Sequence, residues 1–421
     1  VDANNPCTGE GNWMESENDN GGTPGVKNSV AKGNADESLP NILRVGLVNN
    51  NTLGITFTET LDSAIVTNPN FYLVNNGVGN PVSAKAEQFG FTRVLLQFAQ
   101  PFQDGIIYTI KVNGISDCAG NPIGMYDTAR FAVPDTMNRE DLVINEILFN
   151  PRTAGVDYLE IYNRSQKIFD VSKIVIEERD VVETSKILEA SDTLTEPQLM
   201  FPGEYLVFTS NRQNILKEYH VKNLQWLMES RKFPNYPDNE GIAVVKLYNG
   251  ITIDSLYYSD SWQYALIDDV NGVALERIDF NKPTNDHSNW HSAASDVGFG
   301  TPTSLNSQFY STGIDEDAIT IEPEVFTPDN DGIKDFTLIQ YRFEEAGYQA
   351  SIRIFDAVGR EIKYLVRAEL LGAEGEFQWD GTDNDNQKAR TGIYTVFVEI
   401  FNLQGKVKRF KKNVVLGARL D

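Results

Sequence analysis

Histidine and cysteine are nearly missing from this chain of 421 residues, which holds three of the first and two of the second. His220, His287 and His291 are too few for a histidine-rich metal centre or proton relay. His287 and His291 stand four apart, but no Glu follows His287, and Ser288, Asn289 and nearby Pro283 favour a loop over a zinc-binding helix. The cysteines, Cys7 and Cys118, leave two arrangements open: a bridge to one another, or pairing of Cys7 with a thiol elsewhere. No run of about 18 apolar residues occurs, so the sequence offers no membrane-spanning helix. Positive charge is scarce as well. Lys and Arg number 36 against 60 Asp and Glu, a formal net charge of −24, which argues against nucleic acid as a partner. It fits a soluble extracellular protein and leaves room for cation binding.

Catalytic signatures are absent in the same way. There is no Gly-x-Ser-x-Gly elbow, no phosphate-binding Gly-x-x-x-x-Gly-Lys-Ser/Thr loop and no dinucleotide fingerprint. Glu177-Glu178, Asp268-Asp269 and Glu344-Glu345 are adjacent carboxylates, but among 60 acidic residues chance adjacency is the default. The sequence therefore reads as non-enzymatic, with no cofactor implied beyond a cation.

Turn chemistry and short alternating runs are what the sequence does have. Among 32 Gly, 17 Pro and many Asn/Asp clusters lie Val94-Leu95-Leu96-Gln97-Phe98, Tyr108-Thr109-Ile110-Lys111-Val112, Tyr158-Leu159-Glu160-Ile161-Tyr162 and Ser351-Ile352-Arg353-Ile354-Phe355. Period-two runs between turn signals predict sandwiches or barrels. Helical spacing is brief, from Arg212 to Glu229, and predicts one or two turns inside a loop. The fold class is all-β: tandem immunoglobulin-like β-sandwich domains.

An internal repeat divides the chain. Asn12-Trp13, Gly22-Thr23-Pro24 and Asn28-Ser29 return in the same order, with one residue of slippage, as Asn289-Trp290, Gly300-Thr301-Pro302 and Asn306-Ser307. The second copy closes a β-rich region that begins near Asp141, so the first is expected to close an equivalent domain whose body lies outside this sequence. The expected organisation is a domain tail plus linker over 1–38, a domain over 39–136, a large domain over 141–310, a polar linker, and a last domain over 319–421.

Each domain resembles a known family. Residues 141–310 resemble the lamin-tail domain through Leu142-Val143-Ile144-Asn145-Glu146-Ile147, Asp157-Tyr158-Leu159-Glu160-Ile161-Tyr162, Phe201-Pro202-Gly203-Glu204-Tyr205, Leu275-Glu276-Arg277-Ile278 and the Asn289-Trp290 close. They depart from it in an insertion around Arg212–Pro237. Residues 39–136 resemble a bacterial Ig-like domain of surface-layer type, through Ile55-Thr56-Phe57-Thr58-Glu59 and Tyr108 to Ile123. Residues 319–421 resemble the Ig-like domain of flagellar hook-capping proteins and the C-terminal domains of type IX secretion cargo. Phe326-Thr327-Pro328-Asp329-Asn330-Asp331-Gly332, Ile352 to Glu361, Trp379-Asp380-Gly381-Thr382-Asp383 and Thr391-Gly392-Ile393-Tyr394 carry that likeness. The combination implies a gliding or saccharolytic Bacteroidetes organism and a protein exported to the cell surface by the type IX system. Partners would be outer-membrane secretion or attachment proteins, met through the C-terminal domain, with a surface protein or glycan as a further ligand. Lamin-tail domains also accompany nucleases and phosphatases, so an accessory region of a secreted enzyme is the competing reading.

Three places could carry chemistry. Asp329, Asp331 and Asp335 place oxygens at alternating positions around Gly332, as a calcium loop does, although an Asx-rich turn uses the same residues. Trp226, Phe233 and Tyr236 lie in the insertion and could form an aromatic platform for a partner. Lys408, Arg409, Lys411 and Lys412 form a basic patch on an acidic chain. It serves either as the charged face of an edge strand or, as the family resemblance implies, as a contact to the secretion or attachment machinery.

Overall fold

Alternation in the sequence becomes the pleat of strands. Arg93–Gln97 buries Val94 and Leu96 and leaves their neighbours half-exposed; Tyr108–Val112 buries Tyr108, Ile110 and Val112. The computed structural model describes residues 13–31, 36–87, 90–194, 196–230, 232–309, 318–329, 331–343 and 345–418. Among these, two stretches of linker expected from the sequence, 32–35 and 311–317, are not included, and neither is Cys7. Among the described residues no helix is long and apolar enough to cross a membrane.

The chain divides into two compact units, the first built from Val1–Met137, Gln166–Ile174 and Thr193–Pro202. Within it, a four-stranded sheet runs in the order Ile42–Asn49, Thr52–Phe57, Arg93–Gln97, Ser83–Ala86, and a three-stranded sheet in the order Tyr72–Val74, Tyr108–Val112, Thr128–Phe131. Their inner faces share one core with Leu53, Ile55, Phe57, Tyr72, Val94, Leu96 and Ile110 fully or almost fully buried. Phe98, Tyr108 and Phe131 crowd round Phe102, with ring centroids 4.9–5.1 Å from it. The short strands Phe169–Asp170 and Leu199–Met200 pair with one another and bring Ile168, Leu199 and Phe201 into the same core. Burial of each such side chain stabilises by about 1.5–3 kcal/mol. Cys118 is disulfide-bonded.

The second unit, Asn138–Ser165, Val175–Asp192 and Gly203–Asp421, holds two pairs of sheets. In the first pair a six-stranded sheet, Leu227–Glu229, Tyr205–Thr209, Tyr158–Asn163, Leu142–Leu148, Leu275–Arg277, Trp290–Ser292, accompanies a four-stranded one, Ile187–Ala190, Ile174–Arg179, Glu240–Leu247, Thr252–Ser259. The one α-helix among the described residues, Arg212–Glu218, is capped by the Asn211 side chain, which accepts from Asn214 N. It is the short helical stretch that the spacing predicts.

In the second pair, Ile319–Glu322, Thr337–Arg342 and Glu374–Trp379 form a three-stranded sheet. Val325–Phe326, Val407–Leu416, Gly392–Phe401, Gln349–Asp356 and Glu361–Leu370 form a five-stranded one. Trp379, fully buried, packs edge-on to Phe326 and Tyr394 at 5.3 and 5.1 Å. The protein is thus nearly all β, a series of β-sandwich domains.

Candidate functional site

Three glutamates stand side by side inside the six-stranded sheet. Glu146 pairs across to Glu160 on one neighbouring strand and to Glu276 on the other, and all three are completely buried. Burial disfavours ionisation and pushes all three carboxyls above their ordinary range, and for Glu146 and Glu160 repulsion by a facing glutamate adds to it. What satisfies them is the loop Thr301–Gln308. Thr301 N donates to Glu146 Oε1 at 2.9 Å, Thr303 N donates to Glu160, and Ser307 Oγ and Gln308 N donate to Glu276 Oε2 at 2.7 and 2.8 Å. Asn306 Nδ2 donates to the carbonyls of Asn145 and Arg277 at 3.0 and 2.9 Å. The Thr301 hydroxyl lies 3.1 Å from Glu146 Oε2 and 2.7 Å from Glu276 Oε1. A hydroxyl has one proton to donate, so the two carboxyls share a single Thr301 donor.

Perturbed carboxyls often mark active sites, but these three are closed in by their donors and serve the fold. Of the residues prominent as a repeat, Thr301 donates to the row and Asn306 ties the strands beside it, while Asn289 bonds Asp279 O and Trp290 bonds Thr284 O. The glutamates themselves were visible as Glu146, Glu160 and Glu276 in three otherwise apolar strand motifs, and that recurrence is the signal that sequence reasoning passed over. Arg277 beside them is also interior: its Nε donates to Ile144 O at 2.6 Å, its Nη2 to Thr284 Oγ1 at 2.6 Å, and its guanidinium lies over the Trp290 ring at 5.2 Å.

The structure corrects the expected aromatic platform. Tyr236 is fully buried and Phe233 nearly so, with rings 5.7 Å apart and Tyr236 5.9 Å from Tyr258. The insertion packs both rings inward, and Tyr236 N donates to the Asp157 carboxylate at 2.7 Å. Burial pushes that carboxyl up to about 7. Trp226 alone is partly exposed, 6.1 Å from Tyr205.

The other predicted residues lie on the last sandwich. Asp329, Asp331 and Asp335 converge, with one oxygen of each within 4.8 Å of the others. Each also accepts a backbone N–H of the loop: Asp331 N on Asp329, Ile333 N on Asp331 and Gly332 N on Asp335, at 2.8–3.2 Å. These are the bonds of an Asx turn, so the loop geometry accommodates a hard cation without demanding one. On Val407–Leu416 the basic residues alternate faces. Lys408 lies 5.8 Å from the Tyr348 ring and Lys411 6.0 Å from Phe397; Arg409 pairs with Glu399 across the strands, and Lys412 is partly buried. His287 sits in a one-turn helix against Trp262, and His291 is held against Tyr264, so the two rings have separate surroundings.

The last sandwich is joined to the one before it by polar contacts. Ser295 N and Oγ donate to Leu370 O at 3.0 and 2.8 Å, Ala373 N donates to Ser307 O at 2.7 Å, and Tyr341 OH donates to Asp296. The His291 ring is so close to Gly347 that a Cβ there would lie 2.7 Å from Nε2. Beside this junction a depression of about 700 Å³ is lined by Thr320, Gln340, Arg342, Glu374 and Glu376 among others.

Comparison with known proteins supports two of the domains directly. Residues 320–416 match the type IX secretion signal domain family, and residues 34–133 match a bacterial Ig-like domain family. No curated protein matches. Among solved structures, the N-terminal part of the bacterial S-layer protein SbsC is similar at 14% identity and a TM-score of 0.21, over 53% of this chain and 44% of that one. Dimeric latent PorU from Porphyromonas gingivalis is similar at 10% and 0.20, over 91% and 33%. PorZ, a surface component of the type IX secretion system of the same organism, is similar at 12% and 0.20, over 92% and 47%. The chain spans less than half the length of each.

Proposed function

From a chain that carries a type IX secretion signal domain, and so the mark of an exported cargo, we propose a non-catalytic binding or assembly protein of the bacterial surface. It is delivered by the type IX system and stays bound to the secretion or gliding apparatus, where it docks an adhesin. The signal domain match over residues 320–416 is the observation that carries this reading. In support, the three buried glutamates, Glu146, Glu160 and Glu276, are occupied with internal donors. Sandwiches of this kind hold binding loops on a rigid frame. Residues 141–310 serve as a lamin-tail domain in this reading, and the basic strand with Lys408, Arg409, Lys411 and Lys412 faces the outer-membrane secretion or attachment proteins. The step from fold to role is analogy.

Pull-down of the intact chain from outer membranes of the source bacterium tests it. Secretion or attachment proteins should be recovered with the parent, and less with a variant in which Arg409 and Lys411 are both Glu. Recovery of a hydrolase activity in the same complex, with no such proteins, would favour an accessory region of a secreted nuclease or phosphatase instead.

A further inference from the structure

The two copies of the repeat share a backbone as well as a sequence. Gly21 and Gly25 are left-handed, φ 76° and 79°; so are the matching Phe299 and Thr303, φ 69° and 68°. Their internal hydrogen bonds correspond one for one. Val26 N donates to Thr23 O as Ser304 N does to Thr301 O, at 3.3 and 3.0 Å. Ala31 N donates to Asn28 O as Phe309 N does to Asn306 O, both at 3.0 Å. Glu17 N donates to Ser29 Oγ at 3.0 Å as Ala294 N does to Ser307 Oγ at 2.9 Å.

Their surroundings differ. In the second copy Trp290, Thr301, Thr303 and Asn306 are buried, and Thr301 and Thr303 donate to the glutamate row. In the first, every described residue from Trp13 to Ala31 is exposed or half-buried, and Trp13 is 83% exposed. Among the described residues Thr23 Oγ1 reaches Asn28 Oδ1, at 3.4 Å, and Ser29 Oγ reaches Ser16 and Glu17. A segment that keeps two left-handed positions and a full set of internal bonds while exposing its tryptophan is shaped for a surface it does not touch. Holding that shape in advance removes part of the ordering cost of binding.

We propose that residues 13–31 are a preformed closing segment that seats on a second sandwich of the build of residues 141–310. The receiving body carries a cross-strand row of inward glutamates like Glu146, Glu160 and Glu276. Thr23 would serve the paired carboxyls as Thr301 does, Gly25 N the third, and Ser29 the site of Ser307. This is independent of the reading as an exported surface protein: it concerns which body the segment completes, not where the protein goes.

The test uses the whole chain in two arms. Thr303→Gly, Ser304→Val and Leu305→Lys together turn residues 300–307 into the sequence of residues 22–29. The proposal expects this triple variant to keep a cooperative unfolding transition for that sandwich, with a midpoint within about 4 °C of the parent. Loss of the transition overturns it, because the first-copy sequence would then be unable to close a glutamate row. In the second arm, Thr23→Val with Asn28→Ala should leave the transition of residues 39–133 unmoved. A drop of more than about 4 °C would make the segment part of that neighbouring domain and overturn the proposal equally.

Discussion

The Thr301 hydroxyl lies between two carboxyls of the core it closes. It faces both Glu146 and Glu276, and burial pushes both above their ordinary range. In the unfolded chain both carboxyls take their ordinary values, so the folded values are the higher ones. Stability from this cluster is then full below about pH 4.5, the unfolded carboxylate range, and is lost as pH rises through the folded values, with Glu146 pushed up to about 8. The thermal midpoint of this sandwich should therefore fall between pH 5 and pH 8, and Glu276→Gln should flatten that fall, as read by circular dichroism melts across the range. A steady rise in midpoint over the same interval would show that the glutamates are ionised and paired elsewhere. Thr301→Val, which leaves two buried oxygens without their shared hydroxyl donor, should cost about 2 kcal/mol by denaturant melts.

At the scale of elements, the last sandwich is held to its neighbour by a few specific groups. Tyr341 OH donates to Asp296, and Gly347 admits the His291 ring. Tyr341→Phe should loosen the junction and speed proteolytic cleavage between residues 309 and 319 several-fold, with no change in far-ultraviolet circular dichroism; unchanged cleavage would mean that the bond does not hold the junction.

Strand existence was legible because Val94, Leu96, Ile110, Ile352 and Ile354 alternate with half-exposed or exposed residues, and pleat converts alternation directly into faces. The fate of Phe233 and Tyr236 was not legible. An aromatic in an insertion looks alike whether it caps a core or greets a partner, and only its packing in the fold, here Tyr236 against Tyr258, decides. The glutamate row was hidden for a related reason. Cross-strand register, which aligns Glu160, Glu146 and Glu276, is a property of three distant segments together. The Asp329, Asp331, Asp335 loop could be foreseen as a cluster, since its members are near neighbours in sequence.

At the scale of the whole molecule, a net charge of −24 sits on rigid sandwiches, and a secretion signal domain spans residues 320–416. As a secretion signal, this domain should carry the rest out of the cell. Localisation of the tagged protein in the source bacterium, intact and with residues 319–421 removed, tests that most directly. The intact protein should be cleaved by protease added to whole cells, and the shortened one should stay protected inside. Equal exposure of both at the cell surface would contradict it.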